Sequence, residues 1–452
     1  MNKLFRKTVA LLVAALTLAA LLPLGAAAYD DIEEEEKCGD NLTWSLDDGV
    51  LTIGGTGKMY DFMFRGPWNY SPTSVIIEEG VTSIGEHAFD TNWALTSINI
   101  PSTVASIGEN AFYKCYSLET ITVASGNKDY HEASGCLIET KTGALLTGAI
   151  GFKIPDDGSV TSIANDAFAY YEWVTDPSLP DSITSIGEDV FYRTGFYSNE
   201  DNWKDGALYL GKWLIDTETS DLPNPYEIKP GTVGIASKAV FYYKYNQIIL
   251  PDSLKYIGAY SFENSKLTSL TLPASVEVIE KWAFGYSNQI PSVSFGSNVR
   301  IIDEYAFYAC SALSSITFSE GLEFIGQDAF YTSGSYGNPT IPFSVGFIGR
   351  NAFNENSTLR VYEYSYALRH VIENEINYEL LPHDPPPAIK GDMDGDGEIT
   401  VADALKALRI AAKLVQPTDQ DILLGDADGD GEITVADALK ILRVAAKLTD
   451  SL

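Results

Sequence analysis

The chain is poor in the residues from which covalent frameworks and catalytic centres are usually built. Its 452 residues include only four Cys, four His and four Met. Cys38, Cys115, Cys136 and Cys310 are too few and too dispersed to make a disulfide framework. Cys115 and Cys310 stand at matching places, three residues after a recurring Phe, which predicts small buried apolar roles rather than a bridge. His87, His131, His370 and His383 are too scattered to predict a catalytic or metal cluster. Positive charge is also scarce. With 30 Lys+Arg against 62 Asp+Glu, the formal net charge is −32, which argues against nucleic acid or an anionic membrane as partner and favours cation binding. Long apolar runs are confined to the start. Lys3, Arg6 and Lys7 lead into an apolar run over residues 9–22, and Ala26-Ala27-Ala28 offers a cleavage site, so residues 1–28 are expected to be an export signal. No Cys follows it to predict a lipid anchor, and no second run is long enough to span a membrane. With no apolar tail or sorting-like signal at the end either, attachment is expected to come from a protein module.

What the chain has in abundance is a repeat. Ile-x-x-x-Ala-Phe, or a close variant, recurs from Ile84, Ile107, Ile163, Ile186, Ile235, Ile257, Ile279, Ile302, Ile325 and Ile348, and most neighbours are 22 or 23 residues apart. A fixed period in this range marks a solenoid. One unit cannot hide its own Leu, Ile and Phe, so the coils must stack. The first half of each unit, such as Leu95-Thr-Ser-Ile-Asn-Ile100, alternates like a short strand, and these strands are expected to lie side by side in a parallel sheet. The second half is expected to be a tight turn. Before the repeats, alternation around Asp47-Asp48-Gly49 predicts a β-hairpin, with Pro67-Trp68 packed beneath it, so residues 29–80 are read as an N-terminal cap. Residues 81–382 are the repeats. Two wider gaps, between Ile107 and Ile163 and between Ile186 and Ile235, each predict an inserted hairpin. Helical spacing at Ala367 and Val371 predicts a closing helix, and the Pro-rich residues 383–390 read as a linker.

The Cys-Gly-Asp-Asn-Leu-Thr-Trp44 start, the Ile-Gly-x-x-Ala-Phe copies and the Ser365-Tyr-Ala367 end resemble the BspA-type leucine-rich repeats of bacterial surface proteins over residues 38–382. The resemblance implies a curved binding scaffold with no common catalytic residues. On the strand face, Ser97/Asn99, Thr120/Thr122, Ser269/Thr271, Ser292/Ser294 and Ser315/Thr317 are expected to point outward as a hydroxyl ladder. This face offers neither a carboxylate pair nor a Ser-His-Asp grouping, so no catalytic residue is predicted. Either the Ser and Thr are simply good strand residues or the face binds protein or glycan. Tyr113, Tyr116, Tyr170, Tyr171, Trp173, Tyr192, Tyr197, Tyr242, Tyr243, Tyr308 and Tyr331 follow the turns. They are expected to cover the solenoid edge, with sugar or protein contact as the alternative.

Residues 391–452 carry a sharper signal. Two acidic stretches duplicate each other with an offset of 34. The first places Asp392, Asp394 and Asp396 at positions 1, 3 and 5 of a twelve-residue loop, Gly397 at 6, Glu398 at 7, Thr400 at 9 and Asp403 at 12. The second repeats this with Asp426, Asp428, Asp430, Gly431, Glu432, Thr434 and Asp437. Alternate carboxylates converge where Gly allows a sharp turn, position 7 adds a backbone carbonyl, and an all-oxygen set favours Ca2+, giving two expected ions. Asp rather than Glu at position 12, and Pro385-Pro-Pro387 in place of an entering helix, depart from an ordinary EF-hand. Each loop is expected to feed only an exiting helix, with Leu405/Leu408/Ala412 and Leu439/Leu442/Ala446 on one face.

This paired half-EF-hand arrangement resembles a type I dockerin, the small all-α module that docks exported proteins of cellulosome-forming anaerobes onto cohesin domains of a scaffoldin. Carried over by position, the cohesin contacts fall on Val401, Ala402, Leu408, Arg409 and Lys413, and on Val435, Ala436, Leu442, Arg443 and Lys447. Val-Ala at loop positions 10 and 11 departs from the usual Ser-Thr or Ala-aliphatic pairs. The near-identity of the copies implies that either could face the partner after a half-turn. The expected protein is thus a secreted, non-catalytic scaffold in an extracellular or cell-surface complex, with repeats that bind protein or glycan. The alternatives are a dockerin-borne subunit with glycoside hydrolase activity and a surface adhesin.

Overall fold

The computed structural model describes residues 37–68, 72–218, 222–244, 246–383, 390–393 and 399–449. The expected export signal (1–28), most of the expected linker, and Asp394, Asp396, Gly397 and Glu398 lie outside the described residues.

The start of the stack is the hairpin foreseen from the sequence. Leu42–Asp47 pairs antiparallel with Val50–Gly55 in a register that sets Asp47 opposite Val50. Asp48 and Gly49 between them both take positive φ (48° and 83°), as the two-residue turn of a twisted hairpin requires. Val50–Gly55 then pairs in parallel with Ser74–Ile77, Ser97–Ile100 and Thr120–Val123 in turn. The cap therefore works by extending the ladder, so the first repeat has no open edge on that side. Leu51, Ile53, Val75, Ile77, Ile98 and Ile100 face inward, fully buried. Trp68 lies beneath, edge-on to Trp44 and Phe62 and stacked on Phe89.

The long ladder is not the one the alternation suggests. Beyond the first repeats, first-half strands pair only locally, as in Ser292–Ser294 with Ser315–Thr317. The continuous sheet is made by the second halves. Gly234–Ile235, Tyr256–Ile257, Val278–Ile279, Ile301–Ile302, Phe324–Ile325 and Phe347–Ile348 follow one another in a nine-stranded sheet. The turn explains why. Each of these turns places two residues in the left-handed region, four positions apart, and the first of them is Lys238, Tyr260, Trp282, Tyr305 or Asp328 in successive coils. The N–H of that residue then donates to the next coil: Lys238 to Ala259 (2.8 Å), Tyr260 to Lys281 (3.0 Å), Trp282 to Glu304 (3.0 Å), Tyr305 to Gln327 (2.9 Å) and Asp328 to Arg350 (2.9 Å). The Phe that follows donates in the same way, and Phe284, Phe307 and Phe330 each reach the next Ala carbonyl at 2.8 Å. Turn and dipeptide strand thus lock coil to coil.

Inside, the recurring Phe rings form a stack. Phe262–Phe284, Phe284–Phe307, Phe307–Phe330 and Phe330–Phe353 have centroids 5.2, 5.1, 5.4 and 5.6 Å apart and are nearly parallel. All four cysteines are free and buried. Cys115 and Cys310 are more than apolar fillers, because their thiols donate to the carbonyls of Phe89 (3.1 Å) and Phe284 (3.2 Å) in the coil before. Ser287 and Ser333 make the same bond to Phe262 and Phe307. The position calls for a small donor that satisfies an inward carbonyl.

Each insertion is a three-stranded meander rather than a hairpin. Tyr130–Ala133, Cys136–Glu139 and Ala144–Gly148 form the first. Trp203–Lys204, Ala207–Leu210 and Trp213–Thr217 form the second. In both, the last strand pairs in parallel with the next repeat, to Ser162–Ile163 and Gly234–Ile235 respectively, so it stands in for a missing coil. The far end closes with helix α1 (Tyr366–Glu373), capped by Ser365, whose Oγ accepts from Leu368 N; Ala367 and Val371 of α1 are buried.

Among the described residues the C-terminal module has three helices, α2 (Val401–Ala411), α3 (Asp419–Gly425) and α4 (Val435–Ala445). Helix α3 corrects the expectation that loops feed exiting helices alone, since it leads straight into Asp426. Thr418 and Asp421 form a capping box that starts it, a signal present in the sequence. Met393, Ala404, Ala407, Ile410, Leu424, Ile433, Ala438 and Ile441 form its separate core.

Candidate functional site

The second acidic loop is described in full. Gly429 and Gly431 take positive φ (81° and 90°), which bends the chain tightly around Asp426. Asp426 Oδ1 accepts from Gly429 N (2.7 Å) and Asp430 N (3.0 Å), and Oδ2 accepts from Gly431 N (3.0 Å). Burial raises the carboxyl of Asp426, but these three N–H donors outweigh it and hold the group below the usual carboxylate range. Asp428 and Asp430 join it, with ligand oxygens of all three within 4.8 Å of one another. Among the described residues this is the only such group of three or more potential metal ligands. Three carboxylates so close repel unless a cation sits between them, and an all-oxygen set fits a hard divalent ion.

Asp437, expected at position 12, is placed differently. Its Oδ1 accepts from Asp428 N (3.1 Å), and its Oδ2 accepts from the Thr434 N–H and hydroxyl (both 2.8 Å). It therefore caps α4 while pinning the loop to the helix. Asp403 does the same for α2, accepting from Met393 N (2.8 Å), Thr400 N (2.7 Å) and the Thr400 hydroxyl (2.9 Å). On each carboxylate Oδ2 takes both Thr donors and is filled, so cation ligation at this position would fall to Oδ1. Asp392 is buried, Thr400 and Thr434 head their helices, and the Glu432 side chain is exposed.

The two exit helices pack together and leave an apolar groove. Val401, Leu405, Leu408, Val435, Leu439 and Leu442 line it, with Ala404 and Ala438 at its floor. Those six large side chains are 38 to 62 % exposed, far more than core positions. The leucines predicted to share a face do share one, and it faces solvent. All ten positions carried over as partner contacts are exposed: Val401, Ala402, Leu408, Arg409, Lys413, Val435, Ala436, Leu442, Arg443 and Lys447.

On the solenoid, the hydroxyl pairs point outward as expected, but several bond within the ladder. Ser97 Oγ donates to Ser74 Oγ (2.8 Å) and Thr122 Oγ1 to Asn99 Oδ1 (3.2 Å). The turn aromatics divide. Tyr171 and Tyr243 are core, whereas Tyr113, Tyr170, Tyr192, Tyr197 and Trp203 run edge-to-face along the outside. Lys114 and Arg193 lie over these rings, which ties the row into the fold. The histidines stay apart: His87 contacts Asp90, His131 contacts Thr140, and His383 stacks on Phe343. What the strand pattern missed is a set of carboxylates brought together on the second-half side, Glu109, Asp166, Glu280 and Asp303. Glu280 and Asp303 follow the repeated Ile, where six of the ten copies have Gly, so the deviation itself was readable.

The sequence profile of the BspA type Leucine rich repeat region matches six copies, over residues 58–134, 149–200 and 234–360. No curated protein matches. Among solved structures, a leucine rich cell surface protein from Faecalibacterium prausnitzii is 20% identical, over 67% of this chain and 93% of that one, with a TM-score of 0.32. A leucine-rich repeat protein from Bacteroides ovatus is 19% identical, over 76% and 100%, with a TM-score of 0.27. The pneumococcal vaccine antigen PcpA is 15% identical, over 77% and 98%, with a TM-score of 0.32. Among the described residues no helix is long and apolar enough to cross a membrane.

Proposed function

The chain belongs to the BspA-type leucine-rich repeat family, and from that premise we propose that it is an exported, non-catalytic binding scaffold, clipped into a cellulosome-like extracellular complex by a calcium-dependent dockerin at its C-terminus. The observation that carries this reading is the exposed apolar groove. A small soluble module gains nothing by leaving two valines and four leucines to water unless another surface covers them. The groove is also built twice over, from α2 and α4, with Val401/Val435, Leu405/Leu439 and Leu408/Leu442 related by the offset of 34.

In this reading Asp392, Asp394 and Asp396 would hold one Ca2+ and Asp426, Asp428 and Asp430 the other. Glu398 and Glu432 would offer backbone carbonyls, and Thr400 and Thr434 a hydroxyl or water. When bound, the ions would offset the mutual repulsion of the loop carboxylates. The chain's own residues do the rest. Asp403 and Asp437 couple each loop to the first turn of its helix, so ordering a loop sets the direction of the leucines behind it. Val401, Leu408, Val435 and Leu442 would enter the partner's surface, with Ala402 and Ala436 packed close. Arg409, Lys413, Arg443 and Lys447 would meet acidic groups at the rim. The solenoid would present a ligand surface for protein or glycan.

The test is capture of the full chain by an array of cohesin domains, with Ca2+ and with chelator. At least one cohesin should retain it in Ca2+ and release it on chelation, and Leu408→Asp with Leu442→Asp should abolish retention. Capture that ignores both the chelator and the double substitution would contradict the proposal.

A further inference from the structure

The five-stranded sheet ends at Ser185–Ile186, and the next sheet begins afresh with the second insertion. Where they meet, Ser237 N donates to the Ile186 carbonyl (2.9 Å) and Lys238 pairs with Glu188. These two sheets, together with the coil of Ser106–Ile107 from a separate three-stranded sheet, line a cleft of about 600 Å³. One wall carries Ile107, Glu109 and Asp166; the other carries Val278, Glu280 and Asp303, with Ile301 beside them. Ser185 of the first wall hydrogen-bonds the Glu280 side chain of the second, so the walls are within reach of each other.

Two features set this cleft apart from the rest of the stack. Its far wall breaks the repeat rule, because Glu280 and Asp303 stand where Gly85, Gly108, Gly187, Gly258, Gly326 and Gly349 stand elsewhere. A Cβ at Gly258, Gly326 or Gly349 would press on the backbone of the coil before. A coil that gives up that close packing for a carboxylate breaks a local rule, and such breaks concentrate at functional sites. The cleft is also short of positive charge. Its one Lys, Lys281, is engaged by Glu304 (3.2 Å), and among the described residues the Asp166 carboxylate accepts no hydrogen bond. Burial, then the neighbouring Asp189, Glu188 and Glu109, lift Asp166 to about 6 against the pull of Lys238. Burial, opposed by hydrogen bonds from Ser185 and Ala259 N, lifts Glu280 to about 7. These are groups whose charge the fold leaves poorly compensated.

We propose that this cleft binds a cationic, extended peptide segment of a partner protein, with its Lys or Arg side chains against Asp166, Glu280 and Asp303 and their aliphatic stems along Ile107, Val278 and Ile301. Charge complementarity selects this occupant over a neutral glycan. The lining has four carboxylates, and its only aromatic residues are Phe112 and Tyr113 at one end. The inference rests on the solenoid being the ligand-binding part of the molecule, and it does not depend on the C-terminal module.

The experiment is fluorescence anisotropy of the full chain with a labelled alternating Lys–Ala octapeptide, and a Glu–Ala octapeptide for comparison. The basic peptide should bind and the acidic one should not. Asp166→Asn with Glu280→Gln should weaken binding about tenfold or more. Glu200→Gln with Asp252→Asn, which removes two exposed carboxylates elsewhere, should leave it within about twofold. Val278→Lys, which puts an ammonium into the cleft, should also abolish binding while thermal unfolding remains cooperative. Equal losses from the cleft and remote pairs would reduce the effect to bulk charge and overturn the proposal, as would no binding at low salt. Either result leaves cohesin capture untouched, so the two readings fail separately.

Discussion

Phe307 shows what a single side chain does in this stack. It is fully buried and lies face to face with Phe284 and Phe330. Phe307→Ala should cost about 3–5 kcal/mol, because it opens a cavity between two rigid coils that cannot both relax into it. Urea unfolding followed by near-ultraviolet circular dichroism reads the loss. Gly326 makes a complementary point. A Cβ there meets the backbone N of Glu304, so Gly326→Val should destabilise by about 2 kcal/mol or more, through strain rather than a void. Glu280 gives a pH dependence with a definite sign. Its carboxyl is lifted from 4.5 to about 7 in the folded chain, so the folded state holds the proton more tightly than the unfolded state. The stabilisation is complete below the ordinary carboxylate value and is lost as pH rises through about 7. Asp166 and Asp216, both lifted to about 6 with burial as the first cause, act in the same direction. The midpoint of thermal unfolding should therefore fall from roughly pH 5 to pH 8, and Glu280→Gln should flatten the upper part of that fall. A midpoint that rises over this range would contradict the assignment.

Among the elements, those written in local chemistry were legible. Asp48-Gly49 between alternating apolar residues gave the hairpin, Ser365 before Ala367 and Val371 gave α1, and the doubled acidic loops gave α2 and α4. Thr418 and Asp421 announce α3 just as clearly. Elements that depend on distant pairing were harder. Each insertion's third strand is defined by a repeat 18 or 21 residues further on, Ala144 opposite Ser162 and Trp213 opposite Gly234, and no local pattern marks it as a substitute coil. The strand alternation is truest in the first halves, yet the long ladder runs through two-residue second halves, because the turn's inward-locking N–H groups, not side-chain period, hold the coils in register. The capping boxes carry their own expectation. Thr434→Ala removes the α4 cap and one donor to Asp437, which should cost about 1 kcal/mol and reduce helicity of the C-terminal module in circular dichroism.

At the scale of the whole molecule, a period of 22 or 23 residues was enough to announce a solenoid, because stacking is the only way such units bury their apolar strip. The cleft where the sheets meet was not legible. It forms where the stack is broken by an insertion, and it gathers Glu109, Asp166, Glu280 and Asp303 from coils as far as 194 residues apart, 303 minus 109. The C-terminal site was half legible. The pattern named the carboxylates, while the bonds that tie Asp403 to Met393 N and Asp437 to Asp428 N emerged only from the geometry. The repeats and the C-terminal module have separate cores, which predicts that a chelator lowers the unfolding temperature of the module and leaves the main transition of the repeats in place. A differential scanning calorimetry trace with one transition shifted as a whole would count against that separation. The most direct test of the proposed calcium tether is flow dialysis of the full chain with Ca2+. Two ions should bind per chain, with Asp392→Ala and Asp426→Ala each removing one; no binding at about millimolar Ca2+, or two ions retained with both residues replaced, would contradict it.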